Sequence, residues 1–185
     1  MPKRKTLNLK LGTWNLFDIL LQSFFKDPMS TFIQFLYLLG LSLWVGGIVF
    51  FSFFTTPTVF TQLPKEMAGT FLSALFPKYY LLGYGSGTLM LIASLAEAAL
   101  LRRWPWIRLA VLAVMLGASA YAGAVIRPRV HDLKIQMRAV EADSEVGKNL
   151  KAQFDAFHRR SVMLNVIVLL GGLLLIGIVA FRLRL

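Results

Sequence analysis

From Pro28 to Pro64 the chain carries no charged side chain. A helix needs only about 20 apolar residues to cross the roughly 30 Å of bilayer hydrocarbon. This run alone therefore argues against a domain folded in water. Composition agrees: 57% hydrophobic residues in 185, with a mean hydropathy of +0.65, exceed what a soluble domain buries. Three further stretches pass the same length test, and the spans fall at about 31–54, 79–101, 106–126 and 161–181. The fold these imply is all-α, a polytopic membrane four-helix bundle.

Two segments lie outside the spans. In residues 1–27, basic Lys3, Arg4, Lys5 and Lys10 precede a stretch where Trp14, Phe17, Leu21 and Phe24 recur at helical spacing. Asn15, Asp18, Gln22 and Lys26 take the opposite face, which predicts an N-terminal interfacial amphipathic helix without a removable signal peptide. Residues 28–185 then form the membrane domain. Between spans three and four, residues 127–160 are polar but keep two helical stripes, Val130, Leu133, Met137 and Val140, then Val146, Leu150, Phe154 and Phe157. The spacing predicts an extramembrane helical hairpin that turns at Asp143 to Gly147 and kinks at Pro128. Pro57 and Pro64 bracket the exit of span one, where nearby threonines can satisfy freed backbone groups.

Charge and residue types narrow the chemistry. The net charge is +11, but the Lys and Arg flank apolar runs, which points to anionic lipid headgroups as partners and not to nucleic acid. A second copy or another membrane protein is the other partner class. No cysteine is present, which removes disulfides, thiolate metal sites and cysteine nucleophiles, and there are two histidines. Gly83-Tyr84-Gly85-Ser86-Gly87 has neither a preceding strand nor a lysine, so a phosphate loop is not expected. Instead, Gly83 to Gly87, Ser42 with Gly46 and Gly47, and Ala113, Gly117, Ala120 and Gly123 read as helix-packing faces. No catalytic constellation, metal site or cofactor is expected.

Two sets of polar residues stand out. Glu97 is the one carboxylate within a span, and a tight turn at Arg102 to Pro105 brings Arg108 to a similar depth. A structural ion pair is the expectation, and proton or cation handling the competing reading. His158, Ser161 and Asn165 share a helical stripe entering span four, and the antiparallel hairpin brings Arg129 near the height of His158. These four are expected to form a polar cluster that locks the hairpin or binds a polar head. His131 and His158 lie at comparable heights, as a bis-imidazole haem would require, but His131 stands beside its apolar stripe and no further ligand completes a shell.

Several pieces together carry a family likeness: Leu39 to Phe54 with Trp44-Val45-Gly46-Gly47, Leu75-Phe76-Pro77-Lys78-Tyr79-Tyr80, Arg127-Pro128-Arg129, and Phe154 through His158 to Ser161 and Asn165. The chain resembles the transmembrane protein 205 family from about Phe35 to Ala180. The resemblance implies four spans with a polar region before the last. It adds weight to Pro77, Pro128, Arg129, His158, Ser161 and Asn165, does not include His131, and brings no established reaction.

The function expected is a non-enzymatic binding or interaction module in a plasma or bacterial inner membrane. A haem- or quinone-binding redox protein and a small transporter are the alternatives. Short basic segments at Lys3 to Lys10, Arg102 to Arg108 and Arg182 to Arg184 favour both termini in the cytoplasm with the hairpin outside. A reporter fused to the C-terminus should accordingly be active only if it works in the cytoplasm. Activity of a periplasmic or lumenal reporter there would reverse the topology.

Overall fold

In hydrocarbon a backbone amide has no water to bond, so a spanning segment must close its own hydrogen bonds. The computed structural model, which describes residues 28–102 and 104–182, meets this with helices throughout the apolar stretches. The expected N-terminal interfacial helix lies outside the described residues. Four continuous rods follow one another: α1 (Pro28–Gln62), α2 (Lys65–Leu101), α3 (Trp106–Arg138) and α4 (Glu145–Arg182). Each is long and apolar enough to cross a membrane. At 1.5 Å per residue the 38 residues of α4 extend roughly 57 Å, well beyond the bilayer core.

Proline does not end these helices where the sequence suggested. In α1 the expected exit at Pro57 is absent, because a π-helical turn over Phe50–Thr55 precedes it and the helix resumes over Thr56–Gln62. The wider turn makes room for the proline ring, and Thr56 donates both its backbone N–H and, at 2.9 Å, its hydroxyl to the Phe51 carbonyl. The break comes at Leu63, which is extended (φ −120°, ψ 146°), as the residue before a proline prefers to be. A second π turn, Ala122–Ile126, precedes Pro128 in the same way. Pro77 lies inside α2, so the second span and the residues from Lys65 that precede it form one helix.

The rods pack in a ring: α1 on α2 and α4, and α3 on α2 and α4. At the centre Ile33, Tyr37, Leu41, Trp44, Val45 and Ile48 of α1 meet Met90, Ala93, Leu112, Met115, Val168 and Leu175. Gly83 and Gly87 do not let two backbones touch, as a small-xxx-small pattern often does. They hold the Trp44 indole: a Cβ on Gly83 would lie 3.1 Å from Trp44 Nε1, and one on Gly87 2.7 Å from Cζ3. Of the other predicted packing faces, Gly47 meets Leu82 and Gly123 meets Tyr80 and Tyr84, but Ser42, Gly46, Ala113, Gly117 and Ala120 are exposed.

The charged ends of α2, α3 and α4 gather at one pole. Lys134 Nζ donates to the Gly69 carbonyl at 2.9 Å and to Ser73 Oγ at 3.1 Å, while Arg138 pairs with Glu66 and bonds Thr70. The start of α2 therefore joins the helical pair formed by the end of α3 and the start of α4. The connecting turn falls one step earlier than the predicted Asp143 to Gly147. Ser144 caps α4 by accepting the Gly147 N–H at 3.0 Å, so Gly147 is helical, packed beneath the carbonyls of Glu141 and Ala142.

Outside the core, apolar side chains face outward all around the rods, including Phe32, Phe35, Phe50, Phe54, Ile92, Val114 and Leu170. Only 17% of the most apolar window of α4 is buried, which is the reverse of a soluble helix of that hydropathy. Packing around Trp44 gives a direct check. Gly87→Leu should lower the melting temperature of the purified protein sharply, an overpacking cost of about 1–3 kcal/mol or more, while Gly85→Ala, with nothing within 4 Å of its Cβ, should leave it within experimental scatter.

Candidate functional site

Both π turns face the same interior space. Phe51, Ser52 and Phe53 from the first and Ala122 from the second line a cavity of about 360 Å³ that draws residues from all four rods. A π turn carries one extra residue per turn, which displaces the helix face locally and recurs at binding sites. Aromatic and aliphatic groups, Trp44, Phe51, Phe76, Leu164, Val168 and Leu169, make most of the wall. Phe51, Phe76, Tyr79 and Tyr80 contact one another as rings, with centroids 4.7 to 6.5 Å apart.

A polar seam crosses this wall. Tyr79 donates its hydroxyl to Asn165 Oδ1, and Asn165 Nδ2 donates to Ser52 Oγ at 3.1 Å, so one amide ties α2, α4 and α1 together. His158 and Ser161 continue the seam toward the charged pole. His158 is exposed and lies flat against Phe154, with centroids 6.0 Å apart and planes 2° apart. The cavity thus has an apolar body and a hydrogen-bonding edge, the combination that orients a small amphipathic molecule.

Of the four residues assigned to one cluster, the structure brings His158, Ser161 and Asn165 into the cavity wall. Arg129 does not join them: it is exposed and outside the lining, because it follows the π turn and Pro128 on a part of α3 beyond the cavity. His131 is likewise exposed and outside the lining. Sequence reasoning missed Ser52, Tyr79 and Tyr80 as members. Tyr79 and Tyr80 stood only within a family-like motif, and a lone serine among phenylalanines gave no signal. Among the described residues, no three His, Asp or Glu side chains gather closely enough to hold a metal ion.

Glu97 and Arg108 meet at the opposite pole. Arg108 Nη2 donates to Glu97 Oε2, both residues are 5% exposed, and the guanidinium carbon sits 5.0 Å from the Tyr37 ring centroid. Arg108 Nε is buried without a protein partner. Arg102, in the left-handed region at φ 51°, ends α2 and turns the chain toward Pro105 and α3. Trp104 and Trp106 stack nearby on the exposed side, as at a membrane interface.

Four long apolar helices with lipid-compatible exteriors define a multi-pass membrane protein, all-helical among its described residues. The chain belongs to the family described as a domain of unknown function, DUF4149, which it matches over residues 39–139. No curated protein and no solved structure matches it significantly. The matched segment includes Trp44, Ser52, Tyr79 and the Glu97–Arg108 pair, but not His158 or Asn165.

A buried charge left without its partner costs more than an apolar replacement of both. Glu97→Gln should therefore destabilise the protein by about 3 kcal/mol, and Glu97→Leu combined with Arg108→Met should recover most of that loss. Thermal unfolding of the single and double variants measures both. Unchanged stability in Glu97→Gln with loss of an ion flux would instead make the pair part of a conduction path.

Proposed function

We propose that this protein is a non-enzymatic membrane module that binds a small amphipathic molecule in the cavity between its helices. The carrying observation is the pairing of an apolar cavity of about 360 Å³ with a single polar seam, Ser52, Tyr79, Asn165, Ser161 and His158. The ligand's apolar body lies against Trp44, Phe51 and Phe76, and its head bonds His158 and Ser161, the latter also a side-chain hydrogen-bond partner of Tyr80. Asn165 has spent its amide on Tyr79 and Ser52 and acts as the rivet that keeps the wall in place.

The site's composition favours a neutral head over a charged one, since neither Glu97 nor Arg129 reaches it. A quinone is one molecule of that chemistry, and this keeps the redox alternative in view. A haem held by paired histidines fits less well, because His131 lies outside the wall. The extramembrane position of residues 127–160, the cytoplasmic termini, the likeness to the transmembrane protein 205 family and association with a second copy belong to the same proposal. It is supported by the charged pole formed by α2, α3 and α4.

Native mass spectrometry of protein released from membranes tests the binding. The wild type should carry a small-molecule adduct, and His158→Ala should lose it while changing stability by less than about 0.5 kcal/mol. Asn165→Ala should lose the adduct and also cost about 1–3 kcal/mol, for two interhelical hydrogen bonds. An adduct retained in both variants would place the ligand elsewhere, and a stability loss in His158→Ala as large as in Asn165→Ala would make the seam a structural lock.

A further inference from the structure

Outside the central cavity, on the face between α2 and α3, lies a second depression of about 190 Å³ lined by Pro77, Tyr80, Leu81, Tyr84, Gly123 and Arg127. Gly123, in the second π turn, is what keeps it open: a Cβ there would run into the Tyr84 hydroxyl and come within 3.3 Å of the Tyr80 ring. Tyr84 donates that hydroxyl to the Ser119 carbonyl at 3.1 Å, which holds the ring across the groove. Arg127 stands one helical turn beyond Gly123, toward the charged pole, roughly 6 Å along the axis. Its guanidinium is exposed, and among the described residues no carboxylate lies within ion-pairing distance of it. In the opposite direction the groove is apolar: Leu81 is 70% exposed beside the Tyr80 and Tyr84 rings.

We propose that this groove is a binding site for one anionic phospholipid, with its phosphate on Arg127 and an acyl chain along Leu81 and the tyrosine rings. The order of groups matches the ligand. A cation with no carboxylate partner among the described residues sits where α3 enters the charged pole, and the bed of Leu81 and the two tyrosine rings lies on its mid-helix side, as chain and headgroup do in a leaflet. Arginine presents a fork suited to phosphate oxygens, and a charge-assisted contact of this kind is among the stronger ones available at a membrane surface. A soluble phosphate would use only Arg127 and leave the bed empty. Tyr80 lines both this groove and the central cavity, so a lipid seated here packs on the outer side of the partition between them. The site stands whether or not the central cavity is occupied.

The test is native mass spectrometry of the full chain in detergent, titrated with phosphatidylglycerol and, separately, with phosphatidylcholine. The wild type should hold one phosphatidylglycerol about tenfold or more tightly than Arg127→Gln does, the loss expected for one charge-assisted contact, and should show no such preference for phosphatidylcholine. Arg129→Gln, two residues away and outside the groove, should bind as the wild type does. The lipid-free melting temperature of each variant controls for folding, and both should match the wild type. Equal affinity in wild type and Arg127→Gln overturns the proposal. So does an equal loss in both arginine variants, which would mean a diffuse cationic surface, and so does displacement of the bound lipid by millimolar inorganic phosphate, which would mean that the apolar bed contributes nothing.

Discussion

A polypeptide inside hydrocarbon cannot leave amide groups unpaired, and of the prolines that threaten to do so within otherwise continuous helices, Pro57, Pro77 and Pro128, the first and the last are accommodated alike. Each is preceded by a π turn, and Thr56 gives the Phe51 carbonyl a second donor. The accommodation has a geometric consequence. A π turn pushes its neighbours out of the regular helical register, and both turns face the same interior space, where Phe51, Ser52 and Ala122 become cavity walls. The arrangement that satisfies the backbone thus also prevents the four rods from closing completely upon one another.

The space survives because the rods are fixed on either side of it. Toward one pole the buried Glu97–Arg108 pair joins the end of α2 to the start of α3, with Tyr37 of α1 against the guanidinium. Trp44 fills the slot over Gly83 and Gly87 and forms one limit of the cavity. Toward the other pole Asn165 ties three helices through Tyr79 and Ser52, and Lys134 with Arg138 clamps α3 to the start of α2. Core collapse would require breaking a buried charge pair or a three-helix amide bridge, each more costly than leaving a cavity of modest size. Walls held apart by such ties are what a preformed binding site requires.

Much of this was legible in the residues. The uncharged run from Pro28 to Pro64, and the later apolar stretches, mark the four helices because length and polarity alone decide whether a segment can reside in lipid. The proximity of Glu97 and Arg108 follows from a short turn between two helices, and the stripe of His158, Ser161 and Asn165 follows from helical spacing. What resisted reading depended on contacts between distant segments. Pro57 looks like a break until the local helix can widen. Gly83 and Gly87 look like a helix-dimer motif until Trp44 is known to lie over them. Arg129 shares a height with His158 along the sequence, yet helix rotation after Pro128 is not encoded in height. Ser52 carries no signal at all until Asn165 arrives from more than a hundred residues away.

The central claim is that the space between the π turns is a ligand site and not a packing remnant. A structure of the protein extracted in native lipid, at a resolution that separates side chains from bound molecules, tests it most directly. The account predicts elongated non-protein density within the cavity, its polar end in contact with His158 and Ser161, and the Tyr79–Asn165–Ser52 chain intact. A cavity closed by rotated Phe51 or Tyr80 rings, or one holding nothing beyond isolated waters, would contradict it.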